Sequence, residues 1–212
     1  AGHRRALGII LSSLQTEASW ERYAADVAAA RDKVGAGAPE VVFAPAWGDH
    51  PLFIAAMAER VDEALAQVPP ARRNAATVVF TAHSVPVAMA SGSPYAAQLE
   101  AAARSIAEHL DHPRWSVAYQ SRSGSPRDPW LEPDIGAAIR DLARGGAADV
   151  VIAPIGFVCD HVEVLYDLDV EARAVAADVG IGFYRAAAAN DHPAFIAMLV
   201  DLVGQSVGRP PS

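Results

Sequence analysis

The chain has 212 residues, of which 52% are apolar and 20% charged, and a net charge of −8. That length suffices for one large or two small globular domains, and the acidic balance argues against a nucleic-acid surface, which needs a basic face. The single cysteine, Cys159, excludes an intrachain disulfide and a cysteine-ligated zinc or iron–sulfur centre and implies a reducing, cytoplasmic setting, while no apolar stretch approaches the ~18 residues of a membrane helix.

In chain order, "AGHRRALGIIL" does not read as a signal peptide, because its apolar run is short and no small-residue cleavage site follows. A strand-like run begins within a few residues and there is no initiating Met, so the expectation is a sequence truncated at its N-terminus. "ALGIILSS" (6–13), "EVVFAPAWG" (40–48), "ATVVFTAHS" (76–84) and "DVVIAPIGF" (149–157) are apolar, β-branched strand candidates. "RWSVAYQS" (114–121) and "GIGFYRA" (180–186) are weaker ones. Between them lie stretches of helical spacing at 19–33, 51–67, 94–110, 134–144, 160–178 and 192–204. Asp134 is placed to cap the fourth, which stops at Gly145–Gly146, and Pro193 stands in the first turn of the last. "GQSVGRPPS" reads as a tail. Nearly continuous apolar strands suit a parallel sheet covered on both faces, and their alternation with helices predicts an α/β fold. "VPPARRN" (68–74) is the best linker, dividing 1–75 from 76–212.

"VCDHVEVLYDLDVEA" (158–172) concentrates acids on a segment that otherwise reads as core. If the helix starts at Asp160, then Asp160, Glu163, Asp167 and Glu171 share an arc of about 80°. The surrounding positions are mostly apolar, which predicts a buried helix with one acidic stripe. Such a stripe offers hard oxygen ligands spaced for handing on a cation. The alternative is a solvated face whose first acids favour the helix N-terminus.

"VVFTAHSVP" puts His83 just past a strand end, where an α/β sheet presents its ligands. A histidine there is either a base or metal ligand, or a loop residue with a satisfied hydrogen bond. The other histidines show no zinc spacing, and no GxGxxG, GxxxxGK[ST] or GxSxG loop occurs. Trp130, in the Pro-rich loop "GSPRDPWLEPD", walls a flat ligand or anchors a core. "SSLQTEASWERY" reads as a capped helix start carrying Trp20 and Tyr23. Cys159 has no neighbouring cation to activate it and is taken as structural.

"FTAHSVP", "YQSRSGSPRDPWLEPD", "APIGFVCDHVEVLYDLDVEA" and "NDHPAFIAML", in that order and spacing, resemble ferrochelatase over essentially the whole chain. The resemblance implies two Rossmann-like, chelatase-type parallel-sheet domains with a porphyrin cleft between them. The first would be incomplete (1–75) and the second (76–212) would carry the site. It implies insertion of Fe²⁺ into protoporphyrin IX or coproporphyrin III, with release of two protons, in haem biosynthesis. The long Gln120–Trp130 loop favours the coproporphyrin type. Carried over by position, His83 and Glu163 are the catalytic and metal-binding pair, Asp160 is the supporting acid, and Asp167 and Glu171 lead outward and can hold a second divalent cation. Tyr23 and Trp130 line the porphyrin. Leu14 departs from relatives with histidine there. No organic cofactor and no iron–sulfur cluster are expected, the partners are porphyrin and Fe²⁺, and the chain is expected to be a monomer. The alternative is a non-catalytic porphyrin- or metal-binding fragment.

Overall fold

The structure, a computed structural model, describes residues 2–123 and 127–207. Two parallel sheets organise it. β1 (Arg5–Gly8) and β2 (Glu40–Phe43) form the smaller, with Leu7 beside Val42. They are joined through a π-helical turn at Glu17–Glu21 and α1 (Arg22–Val34). Thr16 starts that turn: its hydroxyl accepts from Ser19 N while the Ser19 side chain returns to the Thr16 backbone, a reciprocal cap that satisfies two otherwise orphaned donors.

The larger sheet runs β4-β3-β5-β6, all parallel, with β3 at Thr77–His83, β4 at Trp115–Gln120, β5 at Asp149–Ala153 and β6 at Gly182–Arg185. Its helices are α2 (Pro51–Leu65), α3 (Val87–Ser91), α4 (Tyr95–His109), α5 (Ile135–Arg144), α6 (Val162–Leu165), α7 (Arg173–Val179) and α8 (Pro193–Val207). A π-helix, Tyr166–Ala172, joins α6 to α7.

Side chains alternate across a strand, and both faces of β3 and β5 are apolar as the unbroken runs require. Val78, Phe80 and Val151 pack with Phe53, Met57, Leu99, Ile106 and Met198 on the α2, α4 and α8 side. Val79, Val150 and Ile152 pack with Ile139, Val164, Leu168 and Ala176 on the other. Full burial of each such aliphatic side chain is worth about 1.5–3 kcal/mol. Helix ends follow the sequence signals. Asp134 accepts from Gly136 N and Ala137 N, a cap worth about 1 kcal/mol. His50 caps α2 ahead of Pro51.

Several expectations need correction. The first strand ends at Gly8 rather than running to 13. The last helix extends through Val207, so the tail read from Gly204 starts later, and residues 208–212 lie outside the described ones. So do residues 124–126 of the Pro-rich loop. The short helix α3 carried too few residues to show a period. Cys159, taken as structural, is exposed. Among the described residues no helix is long and apolar enough to cross a membrane.

Candidate functional site

Strand order fixes where a site can form. From β3 the chain moves outward to β4, then returns to the opposite side of β3 for β5 and β6. The reversal opens a crevice beyond the carboxyl ends of β3 and β5. His83 ends β3, and the turn leading to Glu163 follows β5. His83 Nε2 lies 3.3 Å from Glu163 Oε1, with both side chains partly exposed.

The backbone around His83 is held from several sides. Tyr95 donates its hydroxyl to the His83 carbonyl at 2.8 Å. Burial, and secondarily the nearby Tyr119, push the Tyr95 phenol well above its ordinary range, so it stays a neutral donor. Ser84 N donates to Gln120 O at 2.7 Å and Ser84 Oγ to Leu131 O at 3.0 Å. His83 Nδ1 meets the Ser84 carbonyl. A carbonyl only accepts, so Nδ1 carries the ring hydrogen and Nε2 is left to face Glu163. Gly156 brings the turn after β5 against β3: Gly156 N donates to Thr81 O at 3.0 Å, and a Cβ there would lie 2.5 Å from Ala82 Cβ and 2.7 Å from its Cα. Only glycine permits that approach.

On the β1 side of His83 lies a cleft of about 420 Å³ lined by Ser12, Thr16, Ser19, Tyr23, Trp130 and Met89 among others. Tyr23, on the first turn of α1, is half exposed there. Trp130 is fixed by its neighbours: Val87 N donates to Pro129 O, Leu131 N to Val85 O, and Trp130 bridges Pro86. Its Nε1 is buried and has no hydrogen-bond partner among the described residues. Leu14 is buried in the core, 2% exposed.

The acids do not form the single stripe expected of an ideal helix. Asp160 precedes the helix, which begins at Val162. It is bound instead by Arg185 Nη1 at 2.8 Å, Asn190 Nδ2 at 2.8 Å and Ala188 N at 3.3 Å. Glu163 turns to His83. Asp167 contacts the Ser121 hydroxyl and, with Glu171, lines a separate cavity of about 280 Å³ that also takes in Gln120 and Arg140. Nor is the helix buried: Val162 is 82% exposed and Tyr166 and Val170 54%, while Val164, Leu168 and Ala172 face the core. Two things break the stripe: Asp160 lies before the helix, and from Tyr166 a π-helix, which bonds five residues back, no longer advances at the α-helical angle. Among the described residues no three His, Cys, Asp or Glu side chains converge on one metal position, so a resident second cation at Asp167 and Glu171 lacks a third such ligand.

Sequence reasoning missed Tyr95, Arg185 and Asn190. Gly156 was missed as well: it lies inside the run 149–157 read as a strand, whereas β5 ends at Ala153, and an isolated glycine in such a run is the available mark of close backbone approach. Asn190 carried no comparable mark, although it adopts a left-handed φ of 49° that asparagine tolerates better than most residues.

Residues 1–207 match the family model described as ferrochelatase. The chain is 41% identical over 214 residues to a coproporphyrin III ferrochelatase of Mycolicibacterium smegmatis, covering 99% of this chain and 63% of that protein. It is 41% identical over 211 residues to a ferrochelatase of Rhodopirellula baltica, covering 98% and 59%. The chain thus spans less than two thirds of these relatives' length. Among solved structures, SirB from Bacillus subtilis with Fe³⁺ superposes with a TM-score of 0.61 at 13% identity, covering 98% of this chain and 75% of that one. DR2241 from Deinococcus radiodurans, described as a multi-domain protein with structural similarity to chelatases, gives a TM-score of 0.55 at 20% identity over 83% of this chain and 34% of that one. These two likenesses establish the fold.

Proposed function

The chain belongs to the ferrochelatase family, and on that premise we propose that it takes part in inserting Fe²⁺ into a porphyrin, with coproporphyrin III as the preferred macrocycle. The observation that carries this reading is the His83–Glu163 pair, 3.3 Å apart at the sheet's switch point and beside a cleft walled by Tyr23 and Trp130. The porphyrin preference is supported by the name of the Mycolicibacterium smegmatis relative, a coproporphyrin III ferrochelatase.

Metal insertion releases two pyrrole protons, each of which needs an acceptor at the macrocycle centre. With Nδ1 committed to the Ser84 carbonyl, Nε2 is the atom of His83 that can accept. Glu163 then faces the imidazolium and stabilises it. Hard carboxylate oxygens at Glu163, and at Asp167 and Glu171 in the separate cavity, suit a hydrated divalent ion in transit. Fe²⁺ is here a substrate. Tyr23 and Trp130 offer aromatic faces to the flat ring.

The test is His83→Ala. It is expected to abolish insertion while porphyrin binding, read from the absorbance of the bound macrocycle, persists. Retained turnover overturns the assigned role. A second reading is a porphyrin- or metal-binding chain without turnover. It predicts that the wild type binds porphyrin and inserts nothing.

A further inference from the structure

Among the described residues the one polar contact of the Glu163 side chain is with His83 at 3.3 Å, so its place depends on the backbone that carries it. That backbone is gripped at both ends by one residue. Arg185, at the end of β6 and 15% exposed in its side chain, directs Nη1 to Asp160 Oδ1 at 2.8 Å and Nε to both carboxylate oxygens of Asp169 at 3.0 Å. Asp160 lies three residues before Glu163, and Asp169 lies in the π-helix six residues after it. Asn190 closes the arrangement. Its Oδ1 accepts from Asp160 N at 2.9 Å, its Nδ2 donates to Asp160 Oδ2 at 2.8 Å, and its own N–H donates to Val158 O at 2.8 Å. Arg173 shares Asp169 at 3.1 Å.

We propose that Arg185, with Asn190, is a positioning residue that sets the distance between Glu163 and His83 by bracing the 160–169 segment against the end of β6. A planar guanidinium can serve two carboxylates at fixed angles, and an ammonium cannot reproduce that geometry. The two acids are partly buried, at 16% and 30% side-chain exposure, and would repel each other and the turn without the cation between them. Asp160 thereby acts through the backbone and does not touch the reacting atoms. The effect on turnover rests on the proposed metal insertion; the effect on geometry does not.

The experiment compares wild type, Arg185→Ala, Arg185→Lys, Glu163→Gln and the double variant Arg185→Ala/Glu163→Gln. Two readouts are taken: steady-state metal insertion, and the ring-nitrogen resonances of His83 in nitrogen-15 histidine-labelled protein, assigned with His83→Gln. Arg185→Ala is expected to lower kcat about 10–100-fold, as a misplacement near 1 Å does, with the porphyrin KM unchanged. Arg185→Lys restores part of the loss. In the Glu163→Gln background, Arg185→Ala costs no further kcat. The His83 Nε2 resonance in Arg185→Ala moves toward its position in Glu163→Gln. An unaltered His83 resonance in folded Arg185→Ala overturns the proposal, as does a kcat loss that adds fully to that of Glu163→Gln. If Arg185→Ala does not fold, Asn190→Gly, which keeps the left-handed φ and removes the side-chain bonds, is put through the same two readouts with the same expectations. If the wild type inserts no metal, the functional reading fails, and the resonance shift alone decides the positioning claim.

Discussion

His83 shows how a short motif becomes chemistry only when its surroundings are fixed. The sequence placed it at a strand end and, by resemblance, opposite Glu163; the structure brings the two within 3.3 Å. The parts that hold it were harder to read, because they come from distant stretches: Tyr95 lies 12 residues on, and Arg185 lies 25 residues from its partner Asp160. Neither has a local signature, since a buried tyrosine hydroxyl and a cation at a strand end are ordinary residues until the fold supplies their partners. Asp160 is the instructive error. Counted on an ideal helix it joins the acid stripe, whereas it belongs to the turn and to Arg185. Asp167 and Glu171 line a cavity of their own, and in the proposed reading they pass the ion on toward Glu163. Asp167→Ala is therefore expected to raise the KM for metal severalfold with a smaller change in kcat, measured by varying Fe²⁺ at saturating porphyrin. An unchanged metal dependence counts against ion transit along this helix.

At the scale of elements, strands and helices followed the apolar runs closely, because both faces of β3 and β5 are covered and the code is simple burial. Register was the hidden quantity. No composition marks Tyr166–Ala172 as a π-helix, whose wider turn changes the angle between Glu163 and Asp167, and Tyr166 and Val170 within it are exposed. The contact between β3 and the turn after β5 is the second element-level device. Gly156→Ala puts a methyl against the Ala82 backbone and Cβ. The variant is expected to lose about 1–3 kcal/mol of stability, the usual cost of overpacking, seen as a lower denaturation midpoint, and to lose insertion activity because the turn carries Glu163. Wild-type stability in Gly156→Ala contradicts the close approach.

The whole molecule is tied together across the linker. α2 stands before residues 68–74, yet Phe53, Met57 and Val61 pack into the core of the four-stranded sheet. His50 meets Asp201 at 3.0 Å and His192 meets Glu59 at 3.1 Å, joining α2 to the segment of α8. Arg72 of the linker reaches the buried Asp149 at 3.0 Å, and Arg73 donates to Leu65 O and Ala66 O at the end of α2. A division at 75/76 follows the sequence's turn signals, which mark where a chain bends and not what it packs on. Residues 76–212 expressed alone are expected to be aggregation-prone, since they expose the surface that α2 covers, while adding residues from 48 onward rescues solubility. A soluble, cooperatively unfolding 76–212 piece contradicts this. Porphyrin metallation is tested most directly by anaerobic insertion of Fe²⁺, with Zn²⁺ as a surrogate, into coproporphyrin III and protoporphyrin IX, followed by porphyrin absorbance. Metallation that is faster with coproporphyrin III and lost in His83→Ala is the predicted result; binding of both porphyrins with no metal insertion into either would contradict it.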